Sequence, residues 1–197
     1  FISILVVLLI TIVGIISYYA YFEINGESKY LKIKLNGEKN VTLEYQDEYN
    51  DLGVKATYKN KDITKDVVTT NDIDFEKLGK YSYKYEIKYK KQSKKVERIV
   101  TIVDTKIPEI ELNGNSEISL YVGDKYEEKN AKAIDNYDGD ITDKIEISGQ
   151  VDTSKVGEYT ITYKIVDSSN NENSIFRKVK VLEKPKATTS NNSSNNN

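Results

Sequence analysis

The chain has 197 residues, with 29 Lys and Arg against 31 Asp and Glu, and it contains no Cys, His, Met or Trp. Without thiols or imidazoles it can form no disulfide, no Cys or His nucleophile system and no Cys/His zinc site. Residues 1–107 carry 18 basic against 15 acidic side chains and residues 108–197 carry 11 against 16, so neither half shows the concentrated basic face of a nucleic-acid-binding domain. Because it starts at Phe1 and lacks Met, the sequence is expected to be a fragment or a processed product.

The first predicted element is the uncharged run FISILVVLLITIVGIISYYAYF, residues 1–22. As a helix it would extend about 33 Å, at about 1.5 Å per residue, against a bilayer core of about 30 Å. Tyr18, Tyr19, Tyr21 and Phe22 stand at one end of it, where an aromatic belt belongs. A signal peptide has a shorter apolar core, of about 7–15 residues, followed by a small-x-small cleavage site. Ala20 has Tyr18 two places before it and does not supply that site. Residues 1–22 are therefore expected to be an uncleaved, single-pass transmembrane anchor, followed by a juxtamembrane linker over 23–30.

The remainder repeats. IKLNGEKNVTLEYQDEYNDLGVKA (33–56) aligns with IELNGNSEISLYVGDKYEEKNAKA (110–133) at an offset of 77, with no gap. Leu35, Asn36, Gly37, Leu43, Asp47, Tyr49 and Ala56 meet identical residues, and Gly53 meets Asn130; Gly and Asn are the residue types that best tolerate positive φ. DIT recurs at 62–64 and 140–142, IDFEKLGKYSYKYEIKY (73–89) meets VDTSKVGEYTITYKIVD (151–167), and VERIVTIV (96–103) meets IFRKVKVL (175–182). Within each copy the period is two. Tyr81, Tyr83, Tyr85, Ile87 and Tyr89 alternate with polar residues, as do Tyr159, Ile161, Tyr163 and Ile165. That pattern predicts half-buried strands, about seven in each copy, separated by Gly, Asn and Asp turn signals. The tyrosine stripe reads as core, its hydroxyls reaching solvent at sheet rims; a sugar-stacking platform is the alternative.

The segments VGDKY, DNYDGDIT, VDTSKVGEYT and VDSSNNEN of the second copy make it similar to the bacterial surface-protein Ig-like domains, a family also found in an insecticidal crystal protein. The first copy is degenerate. It has YQD at 45–47 and YKNKDIT at 58–64, and KYKKQSKK at 88–95 stands where the second copy has its Asp/Asn-rich loop. The resemblance implies an all-β chain of two tandem Ig-like antiparallel sandwiches placed after the transmembrane helix. It also implies a place on the surface of Gram-positive bacteria, and it carries over no catalytic residue.

The expected organisation is an anchor over 1–22, a linker over 23–30, Ig-like domains over 31–104 and 105–183, and a flexible Ser/Asn-rich linker over 184–197 that cannot build a core. Ig topology places the B–C loop DNYDGD and the F–G loop DSSNNEN (167–173) at one end of the second sandwich. Asp104, Asp135, Asp138 and Asp140 are then expected to meet at the junction of the two sandwiches, as Asx-turns or as oxygen ligands of a calcium ion. No other cofactor is expected. The lysines of KYKKQSKK are expected at the membrane-proximal end, as a solvated hairpin tip or in contact with anionic head groups or wall teichoic acids.

The expected function is a membrane-anchored extracellular spacer or interaction module with no catalysis of its own. The alternative is the non-catalytic N-terminal region of a cell-wall polysaccharide-modifying enzyme. Expected partners are the cell membrane, through residues 1–22, and cell-wall polymers or another surface protein; nucleic acid is not among them.

Overall fold

The computed structural model describes residues 2–186, with the side chains of residues 2–5, 22–25, 27 and 28 left out of the description. The expected Ser/Asn-rich linker lies outside the described residues from position 187 onward.

The uncharged run forms the helix α1, Ile2–Ser28. Its described side chains, residues 6–21, are all exposed, among them Ile10, Ile16 and Tyr19. Thr11 donates its hydroxyl to the Leu8 carbonyl at 2.8 Å, which satisfies a polar group inside the apolar run. Among the described residues no helix is long and apolar enough to cross a membrane, so the structure does not supply the expected transmembrane span. The helix also continues through Ser28, so Glu23–Ser28, expected in a linker, are helical. Charge marks where the apolar run stops, whereas only a proline or a competing cap would have to end the hydrogen-bonded helix there.

The described residues form two compact units that divide after Asp104. The first contains β1 (Leu31–Leu35), β2 (Asn40–Glu44), β3 (Val54–Tyr58), β4 (Lys61–Asp62), β5 (Val68–Asn71), β6 (Gly79–Tyr89) and β7 (Gln92–Val103). The second contains β8 (Glu109–Leu112), β9 (Glu117–Tyr121), β10 (Ala131–Asp135), β11 (Gly139–Asp140), β12 (Glu146–Ser148), β13 (Gly157–Val166) and β14 (Glu172–Leu182). In the first unit a three-stranded sheet, β1-β3-β4, accompanies the four-stranded sheet β2-β7-β6-β5. The second unit repeats this strand for strand, as β8-β10-β11 and β12-β13-β14-β9.

The sheets differ from the purely antiparallel expectation in one pair per unit, since β2 runs parallel to β7 and β9 parallel to β14. Period-two patterning reports which face is buried and is silent about the direction of the neighbouring strand. The cores sit under the alternating residues. Leu31, Ala56, Ile63 and Ile87 are sealed in the first unit. Ala133, Ile141 and Ile165 form one cluster in the second, and Ala131, Ile161 and Tyr163 another.

Gly53 and Asn130, aligned in the two copies, both adopt positive φ, at 65° and 61°. Gly149 is fixed more stringently. Its φ is +101°, and a Cβ there would lie 2.2 Å from the Thr160 carbonyl oxygen, inside any tolerable contact.

Candidate functional site

The DIT turn serves the fold in both units. Asp62 Oδ1 accepts from Thr64 N–H at 2.8 Å and Asp140 Oδ1 from Thr142 N–H at 3.0 Å, each an Asx-turn. Thr64 Oγ1 accepts from Ala56 N–H and Thr142 Oγ1 from Ala133 N–H, both at 3.0 Å. The isoleucines inside the two turns, Ile63 and Ile141, are buried. Asp140 is thus committed to the turn, and the Thr142 hydrogen bonds hold its carboxyl below the usual range.

Asp138 is committed as well. Its carboxylate accepts from Ser168 N–H at 2.7 Å and from Ser168 Oγ at 2.6 Å, and Lys144 Nζ lies 3.8 Å away. The Ser168 hydroxyl is the main cause of its lowered pKa. Asp138 therefore ties the β10–β11 turn to the β13–β14 turn.

Of the four aspartates predicted as ligands, Asp135 meets Asp167, which sequence reasoning missed, whereas Asp104 is the last residue of the first unit. Asp135 and Asp167 each offer one carboxylate oxygen lying within 4.8 Å of the other, and both side chains, like that of Asp104, are buried. Asp104 immediately precedes the second unit, Asp135 ends β10 and Asp167 follows β13. Asp135 Oδ1 accepts from Tyr137 N–H at 2.8 Å and Asp138 N–H at 2.9 Å. Asp167 Oδ1 accepts from Ser169 N–H at 2.9 Å and Asn171 N–H at 2.7 Å, and its Oδ2 from Asn171 Nδ2 at 2.8 Å. The available signal was the loop that begins at Asp167, DSSNNEN (167–173), which falls beside the DGD loop in an Ig-type topology.

A second constellation is built once in each unit. Period two puts Arg98 on the inward face of β7 in line with Val96, Val100 and Ile102, and Arg177 on the inward face of β14 in line with Val179 and Val181. Arg98 is 1% exposed and Arg177 is 0% exposed. Arg98 pairs with Asp51 and donates to the Asn36 carbonyl, and its Nε donates to the Glu38 carbonyl at 2.9 Å. Tyr85 and Tyr49 donate their hydroxyls to the same Asp51 carboxylate. In the second unit Arg177 pairs with Glu128 and donates to the carbonyls of Asn113, at 2.7 Å, and Asn115, at 3.1 Å. Tyr163 and Tyr126 donate to Glu128.

Burial raises the Asp51 and Glu128 carboxyls, but the tyrosine hydroxyls, a backbone N–H and the arginine charge outweigh it and hold both below the ordinary range. Burial and the adjacent carboxylate push the Tyr85 and Tyr163 phenols up. The central hydroxyls of the tyrosine stripe therefore turn inward onto carboxylates, where the sequence reading had them reaching solvent. These arginine clamps are structural: every guanidinium nitrogen already has a partner inside the fold.

The first unit also carries an open groove, of about 850 Å³, lined by Ile33, Leu35, Val68, Tyr85 and Val96 and edged by Lys34, Lys84 and Lys95.

The family profile for the Ig-like domain of bacterial surface proteins matches residues 33–102 and 110–181. The chain belongs to this family. Domains of this family are generally non-catalytic and are found in bacterial surface proteins. Pesticidal crystal protein Cry22Aa of Bacillus thuringiensis is 32% identical over 141 residues, which are 65% of this chain and 19% of that protein. A lipoprotein of Bacteroides thetaiotaomicron is similar at 26% identity over 40% of this chain and 39% of its own, with a TM-score of 0.37. The CBM51-2 and INT segment of Clostridium perfringens ZmpB is similar at 28% identity over 39% of this chain and 17% of its own, with a TM-score of 0.33. The chain thus spans well under half the length of each of these relatives.

Proposed function

We propose that this Ig-like pair is a membrane-anchored, outward-facing spacer or interaction module of a bacterial cell-surface protein, held by residues 1–22 and without catalysis of its own. Family membership of both copies supports the surface role. The observation that carries the anchor is α1, an uncharged run in helical form whose described side chains, from Val6 to Tyr21, are exposed. In water such a surface is costly, at about 25 cal/mol per Å² of apolar area, whereas acyl chains solvate it. The aromatic end fits the interface: Tyr18, Tyr19 and Tyr21 are exposed, and tyrosines settle at the head-group level.

The base of the first unit continues this chemistry. Lys29 and Lys59 lie over the Tyr30 ring, at 5.0 and 5.1 Å from its centroid, directly after the end of α1. Lys88 and Lys95 share Glu86, each at 3.4 Å, so the KYKKQSKK hairpin is partly neutralised by its own strand.

The test is membrane partition of the full chain against a chain lacking residues 1–22, expressed in a Gram-positive host. The full chain is expected to stay with membranes through a carbonate wash, and the shortened chain to be released. Release of the full chain by carbonate would reject the anchor.

A further inference from the structure

We propose that Asp135 and Asp167, with the two loops that carry them, form a binding site for a hard divalent cation of calcium size on the second unit. Their carboxylates are brought together with an oxygen of each within 4.8 Å of the other. Ionised, they repel one another, and a cation among them removes that repulsion. The donor set is oxygen alone, which selects calcium-type ions over zinc or copper. That separation of the carboxylate oxygens admits calcium, whose ligands stand at about 2.3–2.6 Å.

Proximity of acids alone would not carry this. The second observation is Asp135 itself, which is 5% exposed. Its Oδ1 is taken by two backbone N–H groups of the turn, while its Oδ2 is buried with no hydrogen-bond partner. A buried carboxylate oxygen left without a donor is costly and rare in native proteins, and this side chain stands beside the Asp167 carboxylate. Two further buried polar atoms lacking a hydrogen-bond partner, Asn136 Nδ2 and Ser169 Oγ, belong to the same two loops, beside Asp135 and Asp167. The amide assignment of Asn136 is exchangeable, and its oxygen is a candidate third ligand.

The internal repeat supplies a control. Tyr58 ends β3 as Asp135 ends β10, and Tyr89 ends β6 where Asp167 follows β13. In the first unit these two positions close as an aromatic pair, with ring centroids 4.9 Å apart, and Lys90 Nζ stands 4.8 Å from the Tyr58 centroid. The fold therefore does not need acids at this end. Where the second copy places them, they bring negative charge to a position that its sister fills with rings.

The experiment is calorimetric titration of calcium chloride into the full chain in dodecyl maltoside after chelator treatment, with thermal melting in parallel. Saturable heat is expected with a Kd of roughly 10⁻⁴–10⁻³ M, the range of extracellular calcium modules, together with a calcium-dependent rise in Tm. Asp135→Asn and Asp167→Asn should each weaken binding at least tenfold, and Asp140→Asn should leave it unchanged. The double variant Asp135→Tyr, Asp167→Tyr, which copies the first unit, should fold without calcium and show no response to it. Absence of heat and of any Tm shift in the unmodified chain at about 5 mM calcium would overturn the site whatever the variants do. So would a calcium response that survives in the Asp135→Asn and Asp167→Asn chains.

Discussion

At the scale of single residues, Arg98 and Arg177 are the most constrained positions. Each is an ionised guanidinium on an apolar strand face, and each is tolerated because a carboxylate and two backbone carbonyls accept its hydrogens. Removing one partner of such a pair leaves the other buried without compensation, at a cost of about 3 kcal/mol. Arg177→Met is expected to lower stability by that amount in denaturant melting. Hydrogen exchange should place the loss in β13 and β14, which carry Tyr163 and Arg177, and in the connections that carry Asn113, Asn115 and Glu128, whose acceptors lose their partner. The aligned VERIVTIV and IFRKVKVL segments already showed an arginine at one shared position. Its significance lay in the period, which puts that arginine on the same face as Val100 and Val179. Its carboxylate partners, Asp51 and Glu128, lie in irregular segments with no alternation to place them, so the clamp could not be assembled from the sequence.

At the scale of elements, the clamps fasten the long hairpins β6–β7 and β13–β14 to the connections that carry Asp51 and Glu128. Because both carboxyls are held below their ordinary range in the folded chain, the unfolded chain takes up protons first as the pH falls. Their stabilisation is fully present above the unfolded values of about 3.9 for Asp and 4.3 for Glu, and is lost as pH drops through the lower folded values. Asp152, held down to about 2 by Ser154 and Lys155, extends the same trend to lower pH. The expected outcome is a Tm constant from about pH 7 to 5 and falling steadily below about pH 4. A Tm that rises on acidification would contradict this reading.

The elements themselves were largely legible, because alternating tyrosines and isoleucines and paired turn signals are local. The acidic loop was legible only in part. Asp140 and Asp138 look like ligands in sequence and are taken up by Thr142 and Ser168, while Asp167 becomes a neighbour of Asp135 only through the crossing of two hairpins.

At the scale of the molecule, the duplication is what organises the chemistry. Two sandwiches of the same strand order keep the clamp and the DIT turn in both copies, whereas the ends of β3 and β6 carry a tyrosine pair and the corresponding ends of β10 and β13 an aspartate pair. Features shared by the copies belong to the fold, and features that differ are where a function can reside. That contrast is physical, since the same backbone is closed by a tilted pair of rings in one unit and by like charges in the other. It separates Asp135 from Asp140 although only a short turn lies between them.

The central claim is that the Ig-like units are displayed outside the cell. Because the chain contains no cysteine, a single Lys125→Cys substitution, at a side chain 82% exposed, creates a unique reporter in the second unit. In intact Gram-positive cells producing the full chain, a membrane-impermeant maleimide is expected to label this cysteine to the same extent before and after lysis. Labelling that appears only after the cells are opened would contradict the account.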